Sequence, residues 1–346
     1  MIAVMLLVAC GETPTEAPPP ATAVPPTEEP EAQLPSELNI AAILTIGLEE
    51  GWDRSWYDSM QRVIDQKPYG LDITLDYTEG VWGDEAELVL REYAETGKYE
   101  IIFATSTFSD QVKNLKDDYP DILWVVHGSG NEALGDNVFW VYMRVYEPAY
   151  CLGILAGRMT ESNVLGAVGA FAFDDVNDEI NAFFAGAKSV NPDVQQKVTF
   201  IESWYDPAKA LEAATAQAAA GVDFIWQASG AFETCVENDV YCFAHHLDQN
   251  FLAPDHVVNT AVALWDPSIL YVIDQWRDFV LTGNPYDAPR EKLFFPMAEG
   301  GADLAPWHGM DQKFPAEVID EVNQCREDIL SGKLTVPLNV EPPASD

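Results

Sequence analysis

Residues 38–44 read Leu38-Asn39-Ile40-Ala41-Ala42-Ile43-Leu44, a short apolar run of the kind that forms a strand buried on both faces. Working outward, a helix-length segment at 55–66 precedes a strand at 72–77. A helix at 85–96 ends at Gly97 and leads to the apolar run Ile101-Ile102-Phe103-Ala104. A helix-sized segment at 110–119 and strands at 122–126 and 138–142 complete the first series. The pattern then restarts: helix 150–160, strand 164–168, helix 179–190, strand 198–202, Ala-rich helix 207–220 closed by Gly221, strand 224–227, helix 231–238 and strand 240–244. Strands alternating with helices predict parallel sheets covered on both faces. Two such series in one chain predict an α/β protein of two Rossmann-like lobes with a cleft between them. Ligands then sit at the carboxyl ends of the strands.

The charge balance bears on partners rather than fold. Eighteen Lys and Arg face 57 Asp and Glu, a formal net charge of −39. Such a surface repels nucleic acid and anionic lipid, so a nucleic-acid partner is not expected. Five cysteines are too few for a disulfide framework in a chain of 346 residues. Cys235 and Cys242 are close enough in sequence for a bridge, and buried free thiols fit the spacing equally well.

The N-terminus reads as an address and a tether. Residues 1–10, MIAVMLLVAC, are too short to span a bilayer but suit a lipoprotein signal segment. Leu7-Val8-Ala9-Cys10 resembles the bacterial lipobox, in which Cys10 receives the lipid that holds the protein to a membrane. Residues 11–35 carry eight prolines and no aromatic residue. They are expected to be a disordered, polyproline-like linker between the anchor and the folded body.

Catalytic and cofactor patterns are missing from the sequence. None of the five histidines lies in an HExxH pattern, and neither a GxSxG elbow nor a phosphate-binding glycine loop can be read. No enzyme, cofactor or metal is therefore expected. His245-His246 with Asp248 is the nearest approach to a metal set, but adjacent residues on a strand point to opposite faces. Aromatic and acidic residues remain at the strand ends, which suits binding of a small molecule.

Those segments carry a resemblance. Tyr146-Glu147-x-x-Tyr150-x-x-Gly153-x-x-Ala156-Gly157, then Phe183-x-x-Gly186-Ala187-Lys188-Ser189-Val190-Asn191-Pro192, then Trp204-x-Asp206-Pro207-Ala208-Lys209 are together similar to the basic membrane lipoprotein (PnrA-like) family of ABC-importer binding proteins. The likeness runs over about 38–334. It implies the type I periplasmic binding protein fold, with two lobes joined by a three-crossover hinge near 142–146, 245–248 and Trp265. The lobes implied are 36–144 plus about 246–265, and 145–245 plus about 266–340.

The resemblance also implies a function: an extracytoplasmic, lipid-anchored monomer that captures a small heterocycle, a purine nucleoside or nucleobase being favoured. It would deliver this solute to ABC permease subunits. The alternatives are presentation of the solute to a receptor, or a different solute such as a sugar. Carried over by position, Trp52 and Trp204 are the expected stacking partners for a flat base. Asp53 stands beside Trp52 in the same loop, and Glu147 and Asp248 are expected acceptors for hydroxyls or ring N–H groups. Phe108, Thr105, Ser229 and Trp265 are further candidates at strand ends.

Overall fold

The computed structural model describes residues 33–227 and 230–346. The signal segment, Cys10 and almost all of the proline-rich linker lie outside the described residues, as does Ser229.

The first series forms β1 (Glu37–Ile43), α1 (Gly51–Gln66), β2 (Asp72–Thr78), α2 (Asp84–Glu95), β3 (Ile101–Ala104), α3 (Ser109–Lys113), β4 (Leu123–His127) and β5 (Val138–Met143). The second forms α4 (Tyr146–Met159), β6 (Val164–Gly169), α5 (Asp174–Val190), β7 (Gln195–Phe200), α6 (Pro207–Ala219), β8 (Phe224–Gln227), α7 (Phe232–Asn238) and β9 (Tyr241–His246). After it come β10 (Val257–Ala263), α8 (Asp266–Thr282), β11 (Leu293–Phe295), β12 (Ala302–Leu304) and α9 (Ala316–Leu330).

The strands make two six-stranded sheets, ordered β11-β5-β4-β3-β1-β2 and β12-β10-β9-β8-β6-β7. Every pairing is parallel except β10 with β12. The central strands β3 and β4 are buried throughout, as continuous apolar runs require.

The chain passes between sheets three times, but not all where expected. β5 leads to α4, the first crossover, near the predicted place. β9 and β10 pair with each other, so 245–248, the end of β9 and the residues after it, lies within the second lobe and is not a crossover. The second passage runs from β10 to α8, which packs on α1 and β5, and the third from β11 to β12. The expected lobe boundaries are corrected accordingly: β10 belongs to the second lobe, and α8 with β11 to the first. Strand pairing decides sheet membership, and apolar runs of equal character do not record their partners.

Two other features organise the second lobe. Helices α4 and α5 cross closely because Gly153 faces the Phe183 carbonyl and Gly186 the Tyr150 carbonyl, where a Cβ would collide with backbone. The motif glycines therefore act through packing. Disulfides join Cys151 on α4 to Cys325 on α9, and Cys235 on α7 to Cys242 on β9. Helix α5 begins at Asp174, five residues before its expected start, which places Asp175, Asp178 and Glu179 on its first turns.

Candidate functional site

A cleft opens between the carboxyl ends of the two sheets. From the first lobe it is lined by Thr45, Ile46, Glu50, Trp52, Ser106, Thr107, His127, Gly128 and Ser129. From the second come Ala170, Asp175, Val176, Glu179, Trp204, His245 and His246. Together with the open solvent at its mouth the cleft holds about 620 Å³ of empty space. An open outer chamber continues from it, sharing Ile46, Thr107 and Trp204 and adding Trp82, Phe171, Phe173, Glu202, Ser203 and Tyr205. There the Trp204 ring meets Phe171 edge-on at 4.9 Å and lies 5.6 Å from Phe173.

The first-lobe wall is set by the start of α1. Glu50 caps the helix, its carboxylate accepting from the Trp52 and Asp53 backbone N–H groups at 2.9 and 3.2 Å. Burial, and then the neighbouring Asp53, push the Glu50 carboxyl up to about 7. The Trp52 indole N–H donates to the Thr105 carbonyl at 2.7 Å, which fixes its ring against the edges of His246 and Trp265. His127, at the end of β4, is fully buried and stacks on Trp265 at 4.5 Å. Neither of its ring nitrogens has a hydrogen-bond partner among the described residues. Burial pushes its pKa down to about 3, so the ring is neutral.

The two walls are joined at Asp175, whose carboxylate accepts from the Ser129 backbone N–H at 3.0 Å and from the Ser129 hydroxyl. Lys292, just before β11, pairs with Asp174 at 2.5 Å across the same junction. Tyr142 donates to Glu179 Oε1 at 3.3 Å. Burial raises the pKa of Asp175, and raises that of Asp178 well above the usual carboxylate range with the help of the Glu179 and Asp175 charges.

Glu179 itself differs. Burial alone would raise its pKa, but two imidazoles hold it down at about 2. His245 Nδ1 lies 2.8 Å from Oε2, and His246 Nε2 lies 3.0 Å from Oε1. The two rings stack with centroids 3.9 Å apart. The expectation that these histidines face opposite ways is overturned at His246, whose φ of 61° takes it out of the strand's alternation. Asp248 is no part of this cluster. Among the described residues, Glu179, His245 and His246 are the group whose ligand atoms converge closely enough, within 4.8 Å, to hold a metal.

Of the residues singled out in the sequence, Trp52 and Trp204 line the cleft together. The other described candidates face elsewhere. Asp53 is buried under the loop after β1, accepting from the Ile46 and Gly47 N–H groups at 2.8 and 3.0 Å and from Thr105. Phe108 packs in the outer core of the first sheet. Glu147 ties the first crossover to the third, accepting from the Met297 N–H at 2.8 Å and from Arg144. Asp248 pairs with His308 on the surface at 2.6 Å. Trp265 is fully buried behind Trp52 and His127, its indole donating to Ser55. The residues that sequence reasoning passed over are Glu50, His127, Ser129, Asp175, Glu179 and the histidine pair. The strand-end position of His127 was the available signal for one of them.

Comparison with known proteins agrees with this architecture. A family model described as "ABC transporter substrate-binding protein PnrA-like" matches residues 48–280. A putative ABC transporter glucose-binding protein of Haloferax volcanii is 30% identical over 302 residues, 83% of this chain and 70% of that one. A purine-binding protein of Brucella abortus is 30% identical over 256 residues, 73% of this chain and 69% of that one. The crystal structure of an ABC transporter solute-binding protein from Aeropyrum pernix K1 superposes with a TM-score of 0.72 at 15% identity, covering 87% and 94% of the two chains, which shows the shared fold. With the family model spanning more than half of its length and the two-lobed cleft in place, the chain belongs to the PnrA-like family of ABC transporter substrate-binding proteins.

Proposed function

We propose that this protein captures a purine nucleoside or nucleobase in the cleft and delivers it to the permease of an ABC importer, without chemical turnover. One observation carries the reading: Trp52, in the first turn of α1, and Trp204, in the loop after β7 on the opposite lobe, line the same cavity. Aromatic faces suit a flat heterocycle, each worth about 1–3 kcal/mol when stacked. The division of the cleft supports the nucleoside form. Trp204, Phe171, Phe173 and Trp82 make an aromatic outer chamber. Glu50, Ser129, Asp175 and Glu179 supply the acceptors and donors for hydroxyl groups in the inner one. The orphaned ring nitrogens of His127 offer one more polar contact there.

Substrate-binding proteins of ABC importers work outside the cytoplasm, and two disulfides suit such a compartment. No helix among the described residues is long and apolar enough to cross a membrane. The reading therefore includes a monomer tethered by lipid on Cys10 through the proline-rich linker. A second reading, a sugar ligand, is favoured by the glucose-binding name of the Haloferax relative, since carboxylates and an aromatic face also hold a pyranose.

Thermal unfolding of the protein with adenosine, guanosine, free purine bases, D-ribose and D-glucose decides between the two. A ligand at a hundred times its Kd adds about 2.7 kcal/mol and raises the midpoint. A shift with a nucleoside or base, lost in Trp204→Ala, is the expected result. A shift with glucose alone transfers the site to the sugar reading. No shift with any of them removes the nucleoside assignment.

A further inference from the structure

We infer that Glu179, His245 and His246 form a binding site for a divalent transition-metal ion on the second-lobe wall of the cleft. The three ligand atoms already converge: both imidazole nitrogens sit 2.8 and 3.0 Å from the two carboxylate oxygens. In a tetrahedral zinc site, with bonds of about 2.0–2.1 Å to nitrogen and oxygen, neighbouring ligand atoms stand roughly 3.3 Å apart. One ligand atom from each of the three residues lies within 4.8 Å of the others, so an ion entering between them requires shifts of up to about 1.5 Å, and it takes the place of the two hydrogen bonds.

The backbone is built for this convergence. A regular strand would send adjacent histidines to opposite faces. The left-handed conformation of His246 instead stacks its ring on that of His245, with both directed at one carboxylate. Such a conformation is uncommon for a histidine and is associated with functional sites.

The chemistry of the set selects the ion. Two imidazoles and one carboxylate suit zinc, cobalt or nickel, whereas magnesium and calcium require mostly oxygen ligands. All three residues line the cavity, so the remaining coordination positions face the space that holds the solute. Glu179 lies on α5 and the histidines end β9, both in the second lobe, so the site is complete without lobe closure and without solute.

The test is calorimetric titration of chelator-stripped, full-length protein with Zn²⁺, in solute-free buffer containing excess Mg²⁺. One equivalent of zinc is expected to bind, at least tenfold more weakly in Glu179→Gln and in His246→Asn, the latter because asparagine tolerates the same backbone conformation. Circular dichroism checks that the variants fold. The unmodified protein supplies an independent measurement, since one equivalent of Co²⁺ should give the intense visible bands of a low-coordinate site with nitrogen ligands. Failure to bind zinc saturably, displacement of zinc by Mg²⁺, or the weak spectrum of six-coordinate cobalt overturns the site. Zinc binding of unchanged strength in both folded variants overturns it too. None of these results depends on which solute the cleft takes, so the nucleoside reading stands or falls separately.

Discussion

Replacing Glu50 by Gln should stabilise the protein at pH 8 and leave it unchanged at pH 4. Burial, and then Asp53, push this carboxyl up from 4.5 to about 7. An acid whose pKa is raised in the folded state binds its proton more tightly there. Its contribution to stability is therefore full below the unfolded value and is lost as pH rises through about 7. Moving from 4.5 to about 7 corresponds, at ~1.4 kcal/mol per pH unit, to about 3 kcal/mol of unfavourable ionisation at pH 8. Glutamine keeps an oxygen to accept from the Trp52 and Asp53 N–H groups. It gives up a negative charge at a helix N-terminus, worth about 0.3–1 kcal/mol. The net gain at pH 8 is thus about 2 kcal/mol. Urea unfolding followed by tryptophan fluorescence at the two pH values measures it. A variant no more stable than the parent at pH 8, or one equally stabilised at pH 4, would refute the reasoning.

Other expectations follow from single contacts. Trp204→Ala should weaken purine nucleoside binding by about 1–3 kcal/mol, roughly 5- to 150-fold in Kd, with an unchanged circular dichroism spectrum. Gly153→Val should cost about 3 kcal/mol or more, because the added atoms meet the Phe183 backbone carbonyl rather than a side chain that can turn away; a melting temperature near that of the parent would count against this. Exchanging Cys151 and Cys325 together for serine removes a bridge between residues 174 apart and should cost about 2–5 kcal/mol by chemical denaturation. A purine nucleoside monophosphate should bind at least about a hundredfold more weakly than its nucleoside in the presence of EDTA.

The lobes were legible in the sequence because buried parallel strands are continuous apolar runs, and Leu38 to Leu44 or Ile101 to Ala104 admit few other readings. Their pairing was not legible. β10 is apolar in the same way as the strands of either sheet, and only its register with β9 assigns it to the second lobe. The site divides similarly. Trp52 and Trp204 follow strand ends, where an aromatic residue is hard to bury, and both line the cleft. Glu147 and Asp248 looked equally suitable, but the Met297 N–H and His308 engage them. The histidine pair was set aside by strand alternation, a rule that a single left-handed residue suspends. Asp175 was hidden because it precedes the helix expected at 179–190, whereas α5 starts at Asp174 and carries it into the cleft; Glu179, the first residue of that expected helix, bore no sequence sign of its histidine partners.

The charges of the cleft constrain the solute more sharply than its size does. Among the described residues that line the inner chamber, three are carboxylic acids and none is Lys or Arg. Lys292, at the junction of the two walls, is already engaged by Asp174. A phosphate entering this space meets the carboxylates of Glu179 and Asp175 without a compensating donor of positive charge. At about 6 Å and an effective dielectric of about 20, each pair of unit charges costs about 3 kcal/mol, which is roughly a hundredfold in affinity before the second carboxylate is counted. The hydroxyls and ring N–H groups of an uncharged nucleoside donate to the same carboxylates and turn that cost into binding. Chelator matters to the comparison, because a metal ion on Glu179, His245 and His246 would neutralise part of this field and give the phosphate a partner. A monophosphate that binds as tightly as its nucleoside in EDTA would mean that the solute does not reach the inner chamber, and that Trp204 and its neighbours in the outer one hold it alone.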